Sequence, residues 1–246
     1  MPTLMQVLNP SRWGFRRGAA TDLPADLTEA ERTTVAAVRP FTMTSVERIV
    51  ALTRAIEYIQ RAEIPGAIVE CGVWRGGSMM AAARALLEGH GPDRDLYLFD
   101  TFEGMSAPTV ADRDHQGNSA AALLDRSSRD DNEVWCYADL NDVRSNLEST
   151  SYPTTRLHFI EGSVEDTIPS HAPADIALLR LDTDWYESTK HELANLFPRL
   201  QPGGILIIDD YGHWQGARKA VDEYFSGSVL LQRIDYTGRL VVKTQT

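Results

Sequence analysis

Cysteine is scarce in this chain, and long hydrophobic segments are absent from its sequence. Only two cysteines occur, Cys71 and Cys136, and they form no CxxC pair, which argues against a disulfide scaffold or a thiolate zinc site. The longest aliphatic runs, 176–179 and 205–208, fall far short of the roughly 20 residues that cross a bilayer. The sequence also begins without the apolar region of a signal peptide. We therefore expect a cytoplasmic protein with no membrane partner.

Positive charge is also in short supply. The 246 residues carry 24 Lys and Arg against 35 Asp and Glu, a formal net charge of -11. Because nucleic acids and anionic membranes are bound by clustered basic side chains, this balance argues against both as partners. Small molecules and cations are the partners that it favours. The length is sufficient for one α/β domain with its own hydrophobic core.

The hydrophobic pattern predicts strands that alternate with helices. Strands are predicted at 67–70, 96–100, 157–160, 175–182 and 204–209, with a closing hairpin at 229–234 and 239–243. Helices are predicted from a Thr44 capping box to about residue 65, and at 78–87, 139–147, 187–200 and 216–225. This alternation implies a mostly parallel sheet with helices on both faces, to which the hairpin can add an antiparallel edge.

Two stretches lack this periodicity. Residues 1–40, with Trp13 and basic residues between 12 and 17, are expected to form an irregular N-terminal arm, which leaves 41–246 as the domain. Residues 101–135 are polar and rich in Asp, Arg, Ser and Asn. A connection of this length in a compact domain is usually functional, so we expect a lid or binding insert there.

Acidic residues follow five of the predicted strands, at the sheet edge where open α/β proteins bind ligands. They are Glu70, Asp100, Glu161, Asp182 and the pair Asp209-Asp210. A single acid in such a position commonly caps the next helix. Acids after five strands favour a ligand that carries hydroxyls, amines or a metal ion.

The first of these acids opens a glycine-rich loop, Glu70-Cys71-Gly72-Val73-Trp74-Arg75-Gly76-Gly77-Ser78. The loop has neither the Gly-Lys-Ser/Thr of a phosphate loop nor the GxGxxG dinucleotide pattern, so its carboxylate suits a cationic ligand, although a simple tight turn remains an alternative. Asp100 is placed to accept hydrogen bonds from both hydroxyls of a ribose, or else to cap a helix. Ser163 and Glu165 are candidates for adenine contacts.

Two acidic segments form the chemical centre of the predicted site. Asp182-Thr183-Asp184 and Asp209-Asp210 each follow a hydrophobic strand, so their carboxylates emerge at one edge of the sheet. Carboxylates gathered in this way repel one another unless a cation neutralises them, and oxygen ligands suit Mg²⁺. The alternative is that some of these acids cap helices and the others are solvated.

Four segments together resemble the TylF/MycF type of S-adenosylmethionine-dependent O-methyltransferases, which includes macrocin and mycinamicin sugar methyltransferases. They are Glu70-x-Gly72-x-Trp74-x-Gly76-x-Ser78, Asp100-Thr101-Phe102-Glu103-Gly104, Leu181-Asp182-x-Asp184-x-Tyr186-x-Ser188-Thr189 and Ile208-Asp209-Asp210-Tyr211. The resemblance covers about residues 40–226. It implies a Rossmann-like class I methyltransferase fold, in which a seven-stranded, mostly parallel sheet has an antiparallel last strand.

The resemblance also implies ligands and roles. The cofactor is S-adenosylmethionine, bound by Thr42, Met43, Glu70, Cys71, Gly72, Trp74, Ser78, Asp100, Thr101, Phe102, Gly162, Ser163 and Glu165. Mg²⁺ is bound by Asp182, Asp209 and Asp210. The acceptor is a hydroxyl of a small molecule, most often a sugar of a glycosylated natural product. Relatives are commonly oligomeric, so a homo-oligomer is expected.

The chemistry of methyl transfer points to one residue as general base. An aliphatic hydroxyl is a poor nucleophile at neutral pH, and a metal that binds it lowers its pKa. Asp182 is then the predicted catalytic base, with Asp184 as its rival. A nucleotide-sugar glycosyltransferase with a DxD motif at 182–184 is an alternative that leaves the glycine loop unexplained. A non-catalytic cofactor-binding protein would have no reason to gather the acids.

Overall fold

A seven-stranded sheet forms the centre of the protein, as a computed structural model of residues 23–128 and 134–244 describes it. The strands are β1 (Ala67–Cys71), β2 (Leu96–Asp100), β3 (Leu157–Glu161), β4 (Ile176–Leu181), β5 (Leu200–Ile208), β6 (Gln232–Arg233) and β7 (Arg239–Val242). Their spatial order is β3-β2-β1-β4-β5-β7-β6. β1 to β5 pair in parallel, and β7 pairs antiparallel with both β5 and β6. The predicted sheet with its reversed last strand is confirmed.

Helices cover both faces of this sheet. They are α1 (Glu29–Val38), α2 (Val46–Arg61), α3 (Gly77–Glu88), α4 (Ala120–Arg126), α5 (Leu140–Glu148), α6 (Val164–Thr167), α7 (Tyr186–Leu196) and α8 (Gln215–Phe225). Apolar residues of α1, α2, α3 and α5 form a core on one face, and those of α7 and α8 form a second core on the other. Within the described residues, no helix is long and apolar enough to span a bilayer.

The N-terminal arm is shorter than the sequence predicted. Residues 29–38 form the regular helix α1, which begins with a reciprocal capping box between Thr28 and Glu31. Its residues Val35 and Val38 are buried in the same core as α2 and α3. The second half of the expected arm is therefore part of the domain. The basic segment 12–17 with Trp13 lies outside the described residues.

Helix α2 begins one residue later than predicted. Its N-cap is Ser45, whose side chain accepts a hydrogen bond from the Arg48 backbone N–H. The hydroxyl of Thr44 instead accepts a hydrogen bond of 3.2 Å from Arg180. The predicted cap at Thr44 is therefore one residue too early, because Arg180, a residue distant in sequence, engages the Thr44 hydroxyl and Ser45 caps the helix.

The polar insert at 101–135 is anchored onto the sheet edge by a buried acid. Asp112 is 0% exposed, and its carboxylate accepts hydrogen bonds from the backbone N–H groups of Tyr186, at 2.8 Å, and Thr109, at 2.6 Å. Helix α4 of the insert packs against Trp185 and Trp214, which follow β4 and β5. The described part of the insert therefore covers the carboxyl ends of the central strands.

The chain segments that leave β1 and β4 are in unusually close contact. Gly72 has a φ of 80°, and a Cβ on this residue would collide with the backbone carbonyl oxygen of Asp182. The Asp182 backbone N–H also donates a hydrogen bond of 2.8 Å to the Cys71 carbonyl. Only glycine combines the positive φ with this approach, so Gly72 determines how near the glycine loop lies to the acidic segment after β4.

Replacing Gly72 with Ala should therefore lower the free energy of unfolding by about 3 kcal/mol, through backbone strain and the clash together. Gly91→Ala is the matched control, because Gly91 has a φ of 96° and no atom within 4 Å of the position that a Cβ would take. It should cost about 1 kcal/mol, from the positive φ alone. Urea unfolding of both variants measures the difference, and equal losses would contradict the close approach at Gly72.

Candidate active site

A cavity of about 470 Å³ opens at the carboxyl ends of the central strands, beneath the insert. This volume lies within the usual range of small-molecule sites. Ten of the predicted cofactor residues line it: Thr42, Met43, Gly72, Trp74, Ser78, Asp100, Thr101, Gly162, Ser163 and Glu165. Asp182, Asp209 and Asp210, predicted to bind the metal ion, line it as well. Folding thus brings together residues from six separate segments of the chain.

Three predicted cofactor residues do not line this cavity. Glu70 is buried behind it and forms an ion pair with Arg180. Cys71 is buried in the apolar core against α7 and α8, because successive side chains of a strand point to opposite faces. Phe102 is buried in the core on the other face. All three have a place in the packing or ion pairing of the fold, and their predicted contacts with the cofactor stay predictions.

Asp100 fastens the glycine loop to the end of β2. Its Oδ2 accepts hydrogen bonds from the backbone N–H groups of Val73, at 2.6 Å, and Trp74, at 3.1 Å. Its Oδ1 accepts one from Phe102 N–H at 2.8 Å. Burial raises the pKa of Asp100, while these N–H donors act to lower it. The carboxylate therefore shapes the loop and also presents a hydrogen-bond acceptor at the cavity wall.

Trp74 supplies an unsatisfied donor on the same wall. Its indole Nε1 is buried and has no hydrogen-bond partner among the described residues. An indole N–H can only donate, and leaving a buried donor unpaired costs about 1–3 kcal/mol. A polar ligand that brings an acceptor to Trp74 would recover this energy. The glycine-loop half of the cavity therefore fits a polar cofactor such as the predicted S-adenosylmethionine.

Two buried arginines neutralise part of the acidic edge. Arg180 of β4 is 3% exposed and bonds to Glu70, to Asp209 and, at 2.7 Å, to Asp182. Arg48 of α2 bonds to Asp209 from the opposite side, and it reaches Asp235 at 3.0 Å. Asp209 therefore lies between two guanidinium groups. Buried charges are stable only when paired in this way.

A different trio of carboxylates lies at the centre of this edge, and of its three members only Asp182 is ion-paired with an arginine in the described residues. Oxygens of Asp182, Asp184 and Asp210 lie within 4.8 Å of one another, so Asp184 stands where the sequence predicted Asp209 as a metal ligand. Asp209 is not part of this trio, and its carboxylate is ion-paired with Arg48 and Arg180, so its predicted role as a metal ligand stays a prediction. Asp184 and Asp210 form no salt bridge in the described part of the chain.

Burial and mutual repulsion raise the pKa values of two of the three acids in this trio. Burial and the charge of Asp182 raise the pKa of Asp184 to about 7. Burial and the charge of Asp184 raise the pKa of Asp210 well above its usual range. Carboxylates that are buried together without a countercharge hold protons that a divalent cation would displace. The donor set of three carboxylates fits Mg²⁺.

Sequence reasoning missed the two arginines, and only one of them left a signal. Arg180 interrupts an otherwise apolar strand, Ile176–Leu181, and a charge at the centre of a buried strand requires partners. Arg48 occupies an ordinary position on an amphipathic helix. Its partners Asp209 and Asp235 lie 161 and 187 residues further along the chain, so no local pattern indicates them.

The sheet order, the glycine loop after β1 and the acid after β2 define a class I methyltransferase. A sequence model described as Macrocin-O-methyltransferase (TylF) matches residues 17–241. The chain belongs to this family of S-adenosylmethionine-dependent O-methyltransferases. The match extends beyond residues 40–226, the range over which the sequence motifs indicated a resemblance, and it includes α1. Family membership argues against both the glycosyltransferase and the non-catalytic alternatives.

Characterised relatives share much of the chain. A tetracenomycin enzyme of Streptomyces olivaceus, 8-demethyl-8-(2,3-dimethoxy-alpha-L-rhamnosyl)-tetracenomycin-C 4'-O-methyltransferase, is 38% identical over 203 residues, 80% of this chain and 73% of the relative. Mycinamicin III 3''-O-methyltransferase of Micromonospora griseorubida is 33% identical, over 74% of this chain and 69% of its own. The solved structure of the O-methyltransferase NovP superposes with a TM-score of 0.72 at 29% identity and covers 83% of each chain.

The raised pKa of Asp184 predicts a pH-dependent loss of stability in the metal-free protein. The folded-state pKa of about 7 exceeds the value of about 3.9 in an unfolded chain, so stability is retained at low pH and declines as pH rises through this interval. Asp184→Asn cannot ionise, so its free energy of unfolding in EDTA should exceed that of the wild type increasingly from pH 5 to pH 8. Urea titrations at each pH measure this gap.

The exposed Asp125 of α4, replaced by Asn, is the control for the loss of one carboxylate. Its stability curve should run parallel to that of the wild type. If the curve for Asp184→Asn were also parallel to that of the wild type, the folded protein would not disfavour the ionised form of Asp184, and the raised pKa would be contradicted.

Proposed function

We propose that this methyltransferase modifies a sugar hydroxyl of a glycosylated natural product in a Mg²⁺-dependent reaction. The observation that carries the proposal is that one cavity contains both halves of the required site. The glycine loop with Asp100 lies on one side, and the trio Asp182, Asp184 and Asp210 lies on the other. A donor site and a cation site that share one cavity suit transfer between two bound molecules.

The substrate class rests on the relatives and on the character of the cavity wall. The tetracenomycin relative is named for a rhamnosyl substrate, and the mycinamicin relative for a 3''-hydroxyl. Among apolar residues, the cavity is also lined by the polar side chains of Ser45, Arg48, His213, Asp235, Tyr236 and Thr237. Side chains of this kind can both donate and accept hydrogen bonds, which is what recognition of a sugar with several hydroxyls requires.

The metal ion and the base have separate roles in this proposal. Asp182 and Asp210 would hold Mg²⁺, and a bound divalent ion lowers the pKa of a coordinated hydroxyl. Arg180 fixes Asp182 through a 2.7 Å ion pair, so this carboxylate is already engaged by a cationic side chain. Asp184 forms no such ion pair in the described residues, and burial and the charge of Asp182 raise its pKa in the metal-free protein, which favours uptake of a proton. Asp184, the rival in the sequence prediction, is therefore the base that we propose.

Location and assembly stay predictions. Cys71 and Cys136 are both free thiols, which suits the reducing cytosol that we propose as the site of the reaction. The sequence leaves two roles open for the segment 13–17, packing on a neighbouring subunit or closing over the site, and this segment lies outside the described residues. The measurement of mass in solution with and without residues 1–20 decides whether that segment contributes to an assembly.

Calorimetric titration of S-adenosylhomocysteine is the first test of the cofactor half. Binding should be present with or without Mg²⁺, and Asp100→Ala should weaken it by about tenfold or more, since Asp100 both holds the loop and lines the cavity. A thermal melt establishes that the variant is folded. Absence of binding in the wild type would overturn the assignment of this cavity to the cofactor.

Steady-state kinetics with a rhamnosylated polyketide acceptor test the base. Asp184→Asn should lower kcat by about 10²–10⁴-fold, the usual contribution of a general base, and leave affinity for S-adenosylhomocysteine within about twofold. Asp182→Asn is the comparison, and its defect should be relieved in part by raised Mg²⁺. The opposite result, an active Asp184→Asn enzyme and an Asp182→Asn enzyme that Mg²⁺ does not rescue, would place the base at Asp182.

A further inference from the structure

Glu192 of α7 is a buried acid with no part in the site described so far. Its side chain is 0% exposed, and its Oε1 accepts a hydrogen bond of 2.9 Å from the hydroxyl of Thr183. Its Oε2 accepts no hydrogen bond that meets geometric criteria among the described residues, although the thiol of Cys71 lies close enough to interact with the carboxyl group. Burying a carboxyl group without an ion pair is costly, so its presence beneath the acidic segment requires an explanation.

We propose that Glu192 is a positioning residue, which anchors Thr183 and thereby holds the flanking Asp182 and Asp184 at the cavity. The inference rests on the proposed function, because it assigns Glu192 to the two carboxylates on which metal binding and proton transfer depend. Glu192 itself lies behind the segment and does not line the cavity.

The segment that Glu192 anchors is strained. Asp184 has a φ of 65°, which non-glycine residues seldom adopt. The Trp185 backbone N–H donates a hydrogen bond of 2.7 Å to the Thr183 carbonyl, which closes a tight turn around Asp184. Such a conformation persists only when the surrounding structure restrains it. Thr183 is the residue through which a restraint can act on both of its neighbours.

Two side chains of α7 supply that restraint. Glu192 accepts from the Thr183 hydroxyl, and Ser188, one helical turn earlier on the same face, lies with its hydroxyl 3.4 Å from the Thr183 carbonyl oxygen. The segment is confined from the opposite direction by Gly72, whose backbone lies against Asp182. The acidic segment is thus clamped between the glycine loop and α7.

The chemistry of Glu192 suits this role. Burial raises the pKa of Glu192 well above its usual range, and the charges of Glu165 and Asp182 act in the same direction. A neutral carboxyl group anchors Thr183 without adding another negative charge beside the carboxylate trio. Glutamine has nearly the same shape and retains an acceptor oxygen for the Thr183 hydroxyl, so it should replace Glu192.

The test compares Thr183→Val, Glu192→Leu and Glu192→Gln. Hydrogen exchange of the amides at 182–186, followed by mass spectrometry, should accelerate about tenfold in the first two variants and stay at the wild-type rate in the third, because only Glu192→Gln keeps the hydrogen bond. In protein loaded with S-adenosylhomocysteine, Mn²⁺ affinity measured by electron paramagnetic resonance should follow the same order. Affinity for S-adenosylhomocysteine itself should change less than about twofold.

The control is Thr53→Val in α2, which removes a buried threonine hydroxyl that donates to the Val50 carbonyl at 3.0 Å and does not line the cavity. It should change neither readout. Unaltered exchange at 182–186 in both Thr183→Val and Glu192→Leu would overturn the proposal, and so would Mn²⁺ affinity that is unchanged where exchange is faster. Thr183→Val keeps the test valid if Glu192→Leu does not fold.

The two readouts distinguish a failure of the proposed function from a failure of this inference. Wild-type protein that binds no Mn²⁺ would contradict the metal site, while hydrogen exchange would still decide whether Glu192 anchors the segment. A Glu192→Gln variant as impaired as Glu192→Leu would show that the carboxyl group itself is needed, and it would contradict a role limited to anchoring Thr183.

Discussion

The concentration of negative charge at one edge of the sheet is the constraint on which the rest of this structure depends. Strand ends bring Glu70, Asp182 and Asp209 into a buried space around Arg180. Such a cluster is stable only when each charge is paired, protonated or bound to a cation. Pairing with arginine accounts for some of these acids, others have raised pKa values, and the proposed Mg²⁺ would supply the third solution.

The arginines divide the acids into a structural group and a chemical group. Glu70 and Asp209 are bound by Arg180, and Asp209 is bound by Arg48 as well, so both serve to join β1, β4, β5 and α2. Asp184 and Asp210 receive no guanidinium in the described residues and carry raised pKa values. Asp182 belongs to both groups, because it bonds to Arg180 and faces the trio. Residues adjacent in sequence, Asp209 and Asp210, thereby have different roles.

Contacts that involve the backbone fix the positions of the loops around the site. Gly72 allows the glycine loop to lie against the segment after β4, and Asp100 fastens the same loop to β2 by accepting backbone N–H groups. Asp112 anchors the insert above the cavity. These contacts fix the positions of the glycine loop, the acidic segment after β4 and the insert relative to one another. Such preorganisation is what a transfer reaction between two bound molecules requires.

Features that depend on residues close together in the chain could be predicted from the sequence, whereas contacts between residues distant in the chain could not. Strand positions and the glycine loop follow from hydrophobic period and turn chemistry, which are properties of adjacent residues. Most of the residues at the carboxyl ends of the strands were assigned to the cavity on the same basis. The exchange of Asp209 for Asp184 in the carboxylate trio depends on Arg48, which belongs to a helix remote in sequence. The burial of α1 likewise depends on packing against α2 and α3.

The division of the acids is tested most directly by a crystal structure of the protein with S-adenosylhomocysteine and Mn²⁺, in which anomalous scattering locates the ion. The expected result is Mn²⁺ bound by Asp182 and Asp210 of the trio, beside Asp184, with Asp209 still paired with Arg48 and Arg180. An ion bound by Asp209, with those two ion pairs broken, would contradict the division of roles described above.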